Sequence, residues 1–291
     1  MRGRGVVLVR AEWMPSSFQR RAFIALLGLL TIVGMPRAIR AEASLPPHAS
    51  FTINSTVLGE VRQINVYTPP GYGTAPDTRY PVLYMLDGGL QEDFPHVARD
   101  VDAAIRAGEM RAMIVVGIEN TERRRDMTGP TVVASDRAIA PHVGGSERFR
   151  KFIGDELMPE VRHRYRTNGQ RAMVGESLAG LFVVETFLSD PQLFDSWIAL
   201  SPSLWWNNMF LARSAKRYLQ APHPRRELTL YVAAAGDDGL DDAGGDLLKA
   251  ALRTDALPGL DWHYEHFPKL KHENIYRRAS PEIFRRLFPP E

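Results

Sequence analysis

Two short segments, Val82–Leu86 and Met113–Ile118, are apolar throughout. A strand with one wet face alternates apolar and polar residues, so runs like these need a sheet covered on both faces. Around them the chain alternates strand-like and helix-like stretches. Phe51–Val57 and Val61–Thr68 flank Leu58-Gly59-Glu60, a hairpin turn, and Pro69-Pro70-Gly71 ends the second run. Glu147–Arg164 reads as a helix interrupted or ended near Pro159, and Asn168-Gly169 turns into a strand at Arg171–Val174. Leu178–Leu188 and Ala243–Leu252 have helical length, Ser196–Leu200, Leu228–Ala234 and Trp262–Phe267 are strands, and Pro281–Leu287 closes the chain as a helix. The expectation is an α/β fold: a mostly parallel, doubly wound sheet with an antiparallel N-terminal hairpin and helices on both faces.

Composition narrows the chemistry. The 291 residues include no cysteine, which excludes disulfide scaffolds, thiolate zinc sites, iron–sulfur clusters and cysteine nucleophiles. The net charge of +2 is unevenly placed: residues 1–41 carry seven arginines against Glu12 alone, leaving the rest at −4. A mildly acidic body lacks the broad phosphate-neutralising surface of a nucleic-acid binder. Within that leader, Arg20-Arg21 precedes the apolar run 22–35, and Ala41-Glu42-Ala43 follows as a small-x-small site. This is the layout of a signal peptide, too short in its apolar part for a permanent membrane anchor. Gln19-Arg20-Arg21-Ala22-Phe23-Ile24 also fits a twin-arginine export signal, and Met14 is a second start for a well-proportioned leader. The expected product is an exported protein, periplasmic or secreted, with residues 42–291 forming one domain.

The chemistry centres on Gly175-Glu176-Ser177-Leu178-Ala179-Gly180, between a short strand and an apolar helix. That context makes Ser177 a candidate nucleophile on a tight elbow, with small residues where strand and helix backbones meet. A serine hydroxyl needs a histidine base and an orienting carboxylate, which in such folds follow it as acid and then histidine. Four histidines follow Ser177; His263 and His266 fall inside a strand, His223 lies between prolines, and His272 falls in the loop after the last strand. His272 is therefore the candidate base. The loop after Leu228–Ala234 offers Asp238, with Asp237 and Asp241 as alternatives. For the oxyanion, the Leu178 N–H is one donor and the turn Asp87-Gly88-Gly89 supplies the other, Gly88 first and Gly89 second. No metal or cofactor is required by this scheme.

Tyr80-Pro-Val-Leu-Tyr-Met-Leu-Asp-Gly-Gly89, Gly117-Ile-Glu-Asn120 followed by Arg125-Asp-Met-Thr128, the Ser177 hexapeptide and Ser201-Pro-Ser-Leu-Trp-Trp206 together resemble the esterase D-like family of α/β-hydrolases. Within it, the sequence is most similar to the branch of siderophore esterases that cut enterobactin- and salmochelin-type esters. The resemblance spans roughly residues 50–290 and implies an α/β-hydrolase fold. It carries the family's serine to Ser177, its histidine to His272 and its oxyanion turn to Gly88 or Gly89. The family's acid does not map onto this chain, so Asp238 rests on loop position alone.

The implied activity is hydrolysis of a small-molecule ester through an acyl-enzyme. For a catecholate or ferric siderophore, Trp205 and Trp206 are candidate stacking surfaces and Arg125, in Arg123-Arg124-Arg125, a candidate anion contact. Equally ordinary roles exist: packing for the tryptophans, a solvated pair with Asp126 for Arg125. A general short-chain or aryl esterase, an acyltransferase of the same fold, and a non-catalytic siderophore- or lipid-binding module are the competing readings.

Overall fold

The computed structural model describes residues 44–223, 226–238 and 243–290. The hairpin comes first: β1 (His48–Ser55) and β2 (Glu60–Tyr67) pair antiparallel, and Gly59, at φ +74°, closes the turn. Then follow β3 (Tyr80–Met85), α1 (Phe94–Arg106), β4 (Ile114–Ile118) and the short helices α2 (Arg123–Asp126) and α3 (Ala134–Ile139). Next are α4 (Ser146–Phe152), a π-helical segment (Ile153–Leu157), α5 (Met158–Arg164), β5 (Thr167–Glu176) and α6 (Leu178–Ser189). The chain ends with β6 (Ser196–Leu200), α7 (Trp206–Leu219), β7 (Leu228–Ala235), α8 (Ala243–Asp255), β8 (Leu260–Phe267) and α9 (His272–Leu287).

The eight strands form one sheet in the order β1-β2-β4-β3-β5-β6-β7-β8. β1 pairs antiparallel with β2 and β2 with β4, and every pairing from β4 through β3 to β8 is parallel. This is the α/β-hydrolase architecture.

Full burial explains the uninterrupted apolar strands. In β3, Val82 and Tyr84 enter the core shared with α4 to α8, while Leu83 and Met85 enter the core under α1 and α9. β4 divides likewise, Ile114 and Val116 to the first core and Val115 to the second. Each such side chain contributes about 1.5–3 kcal/mol on leaving water. Slipping either strand by one residue would exchange its contacts on both faces at once.

Two helices depart from expectation for reasons tied to proline. Pro159 has no N–H to return to Asp155, and the helix widens just before it: the Met158 N–H bonds the Ile153 carbonyl, five residues back. The segment is thus interrupted, and it resumes through Arg164. The closing helix begins at His272 rather than Pro281, which sits inside it. Ile275, Tyr276, Ala279, Ile283 and Phe284 form a buried stripe that holds both halves to the sheet despite the missing hydrogen bond. His272 is consequently the first residue of a helix, carried on a rigid element.

Candidate active site

The ends of β3, β4, β5, β7 and β8 carry the site residues at the C-terminal edge of the parallel sheet, where open α/β folds bind ligands. Ser177 follows β5 at φ 60°, ψ −119°, a conformation that costs an L-residue of this kind about 1–3 kcal/mol. Its surroundings enforce the turn. A Cβ on Gly175 would lie 2.7 Å from the Ala179 backbone, and one on Gly180 2.9 Å from the Leu200 carbonyl oxygen. The Ser177 N–H donates to Leu200 O at 2.9 Å, and Ser203 N–H donates to Ser177 O at 3.0 Å, locking the elbow to β6 and the loop after it. Leu178 opens α6, so its N–H belongs to the first helical turn, whose donors have no acceptor four residues back.

His272 Nε2 lies 2.9 Å from Ser177 Oγ, and His272 Nδ1 lies 2.8 Å from Asp238 Oδ1. With the proton on Nδ1, that N–H donates a hydrogen bond to Asp238, and Nε2 is left to accept the serine proton. Asp238 is itself fixed by the Ala235 N–H at 2.8 Å on Oδ2. Asp237 serves the backbone instead, its Oδ1 accepting the His272 N–H at 2.6 Å and so anchoring the start of α9. Asp241 lies outside the described residues.

The electrostatics follow from these contacts. Hydrogen bonding to Asp238 raises His272 above the ordinary histidine range; burial opposes this, and the charge of Glu176 adds to it. For Asp238, burial alone would raise the carboxyl, but hydrogen bonds from His272, Ser201 and the Ala235 N–H outweigh it and hold it below the usual range. Glu176 sits 3.3 Å from His272 Nε2 through Oε1. Burial pushes its carboxyl up to about 7, against the pull of His272 and Arg123 and with the charges of Asp87 and Asp93.

Ser177 and His272 open on a cleft of about 480 Å³ whose walls are mainly charged: Asp87, Glu92, Asp93, Glu176 and Glu273 face Arg123 and Arg277, with Asn120 and Tyr276. Sequence reasoning misses most of these. Glu176 lies in plain view as the variable residue before the nucleophile. Tyr276 is four residues beyond His272, the spacing of one helix face, a signal usable only once α9 is known to begin at His272.

Three sequence assignments are corrected. Gly88, the favoured oxyanion donor, gives its N–H to Ile118 O at 2.9 Å, and its own carbonyl accepts Asn65 Nδ2 at 2.9 Å. Its role is steric, because a Cβ there would overlap the Gly117 and Ile118 backbone. Gly89, the second candidate of that turn, has its N–H bonded to Glu92 Oε2 at 2.7 Å. Arg125 is absent from the cleft walls, held by Asp126 at 2.7 Å and Glu60 at 2.8 Å in the cluster around buried Arg62. Arg123 lines the cleft instead, with both Asp87 oxygens gripped at 2.6 and 2.9 Å. Neither tryptophan lines the cleft. Trp206 is 4% exposed, donates Nε1–H to Gly129 O at 3.1 Å, and walls a separate apolar cavity with Leu181, Phe210, Leu211 and Tyr218; Trp205 packs on it at 5.9 Å, half exposed. Apolar packing accounts for the position of Trp206.

Among the described residues, no group of three or more His, Asp or Glu is placed to hold a metal ion. The arrangement can activate a hydroxyl nucleophile and accept a proton from it.

The family model described as Putative esterase matches residues 55–278. The chain belongs to this family. Among curated relatives, the ferri-bacillibactin esterase BesA of Bacillus subtilis is 32% identical over 187 residues, 58% of this chain and 62% of that protein. The chain thus spans under two thirds of BesA. The apo-salmochelin esterase of Escherichia coli O6:H1 is 31% identical over 258 residues, 83% of this chain and 79% of that protein. The crystal structure of an IroE-like serine hydrolase from Shewanella oneidensis superposes with TM-score 0.74 at 29% identity, over 83% of this chain and 80% of that one.

Proposed function

We propose that this protein is an exported serine esterase that hydrolyses a siderophore ester through an acyl-enzyme. The observation that carries the reading is the hydrogen-bonded row from Ser177 Oγ through His272 to Asp238, at 2.9 and 2.8 Å, opening on the cleft. In this mechanism Ser177 Oγ attacks the ester carbonyl while His272 Nε2 takes its proton. Asp238 holds the imidazole in the required tautomer and stabilises the imidazolium. His272 returns the proton to the leaving alkoxide, and water then repeats the sequence on the acyl-serine. The N–H groups of Leu178 and Gly89 are the donors for the oxyanion, each worth about 3–4 kcal/mol of barrier.

The substrate class is supported by the relatives' names, BesA and apo-salmochelin esterase, rather than by aromatic stacking, since the tryptophans stand away from the cleft. Export is supported by the Arg20-Arg21 pair, the apolar run 22–35 and Ala41-Glu42-Ala43, all outside the described residues.

The test is hydrolysis by the mature chain of p-nitrophenyl acetate and butyrate beside a catecholate triester siderophore, free and iron-loaded, with Ser177→Ala as control. A kcat/KM for the siderophore far above that for the aryl esters is expected. Turnover of the aryl esters alone would remove the siderophore assignment, and turnover by Ser177→Ala would remove the mechanism.

A further inference from the structure

The oxyanion turn already holds an anion-bearing group of its own. Glu92 folds back three residues along the turn, so that Oε2 accepts the Gly89 N–H at 2.7 Å and Oε1 accepts Asn120 Nδ2 at 2.9 Å. The Glu92 N–H in turn donates to Gly89 O at 3.0 Å, closing the loop backbone independently of the side chain. Glu92 lines the same cleft as Ser177 and His272 and is only half-buried, and its Oε2 also accepts the Asn120 N–H at 3.4 Å. Because Gly88 is bonded to Ile118, Gly89 is the one N–H of this glycine pair that a substrate carbonyl can claim, and Glu92 is on it.

We propose that the Glu92 carboxylate is a resident plug of the oxyanion site, which an ester carbonyl must displace from the Gly89 N–H before attack by Ser177. The inference rests on the esterase reading above and adds regulation to the same site. A charged acceptor binds an N–H about twice as strongly as a neutral one, so an ionised Glu92 outcompetes a neutral ester carbonyl. Its charge also stands beside the developing oxyanion and opposes it. Protonation weakens the plug on both counts.

The surroundings favour titration in an accessible range. The charged and titratable groups that share the cleft with Glu92 are Asp87 and Asp93 of its own turn, Arg123 after β4, Glu176 at the end of β5, and His272, Glu273, Tyr276 and Arg277 of α9, and Glu119 lies with it against Gly89. Burial, with the charge of Asp87, holds Glu92 above ordinary carboxylates despite the hydrogen bonds of Gly89 and Asn120. The plug is therefore released towards acid and seated towards alkali.

The test compares kcat/KM of wild type, Glu92→Gln and Glu92→Ala for p-nitrophenyl acetate across roughly pH 5 to 9, as the ratio of variant to wild type. Both variants should exceed wild type by about tenfold on the alkaline side, within the effect of one oxyanion donor, and the ratio should approach one as pH falls. Any loss of negative charge felt at His272 would lower its pKa and raise the ratio towards acid, the opposite trend. A ratio independent of pH, or a loss in Glu92→Ala that Glu92→Gln restores, would make Glu92 a brace for the turn and overturn the proposal. Equal thermal midpoints for Glu92→Gln and wild type exclude misfolding as the cause. Activity surviving in Ser177→Ala in the same assay would instead strike the esterase reading.

Discussion

His272 meets three carboxyl-bearing neighbours at once: Asp238 at Nδ1, Glu176 near Nε2, and Asp237 on its backbone N–H. Only neutral imidazole can accept the Ser177 proton. With the folded pKa raised, kcat/KM should therefore fall as pH drops through a value above the ordinary histidine pKa. Because the Asp238 hydrogen bond is the largest cause, Asp238→Asn should shift that acid limb to lower pH while reducing the maximal rate, which a pH profile of kcat/KM reads directly. Ser177→Ala should cost about 10⁶ in kcat, and Asp238→Ala about 10⁴, since the acid orients and stabilises rather than reacts. Among these residues the serine and histidine are legible in the sequence because chain order and strand context leave few candidates. The acid is legible only as a cluster, since loop geometry decides which carboxylate meets the ring. The order of the two glycines as second donor is not legible, because the Gly88 N–H is taken by Ile118 O of β4, a strand distant in sequence.

Between elements, the least visible feature is a charged core joint. Arg62 of β2 is fully buried, bonded to Asp126 of α2 at 2.6 Å, Glu60 at 2.8 Å and Thr121 Oγ1 at 2.6 Å, with its guanidinium 5.0 Å from the Phe149 ring. An alternating strand pattern predicts a charge at position 62 to be solvated; instead α2 and α4 cover it, which no local pattern reveals. Asp126→Ala leaves Arg62 buried with one counter-charge fewer and should cost about 3 kcal/mol or more, measured by the denaturant midpoint. Glu60 in the same joint is lowered to about 2: burial would raise it, and hydrogen bonds from Arg125, Thr121 and Arg62 overcome that. Its contribution to stability is present above its unfolded pKa near 4.5 and is lost as pH falls towards 2. Trp206 and Trp205 separate packing from recognition. Trp206→Ala should destabilise the fold by about 3–5 kcal/mol, while Trp205→Ala should leave stability within about 0.5 kcal/mol and leave KM for aryl esters unchanged.

For the whole molecule, the pattern of uninterrupted apolar runs predicts a sheet covered on both faces, and the strand order shows why: β3, β4 and β5 lie in its interior. Helix ends are less legible, because proline is a weak boundary marker when tertiary contacts hold both flanks, as at Pro281. No helix among the described residues is long and apolar enough to cross a membrane. Expression of the full chain should yield a product processed near Ala43, seen by N-terminal sequencing of the exported protein, and replacing Arg20 and Arg21 by lysines should block export if the twin-arginine route is used.

Whether Ser177 is a nucleophile activated by His272 is best decided by mass spectrometry of the protein after reaction with a fluorophosphonate, followed by peptide mapping. One phosphonyl group per chain is expected on the peptide carrying Ser177, formed far more slowly in His272→Ala and absent in Ser177→Ala. A protein left unmodified, or modified at another residue, would show that the Ser177–His272 pair is not the reacting centre.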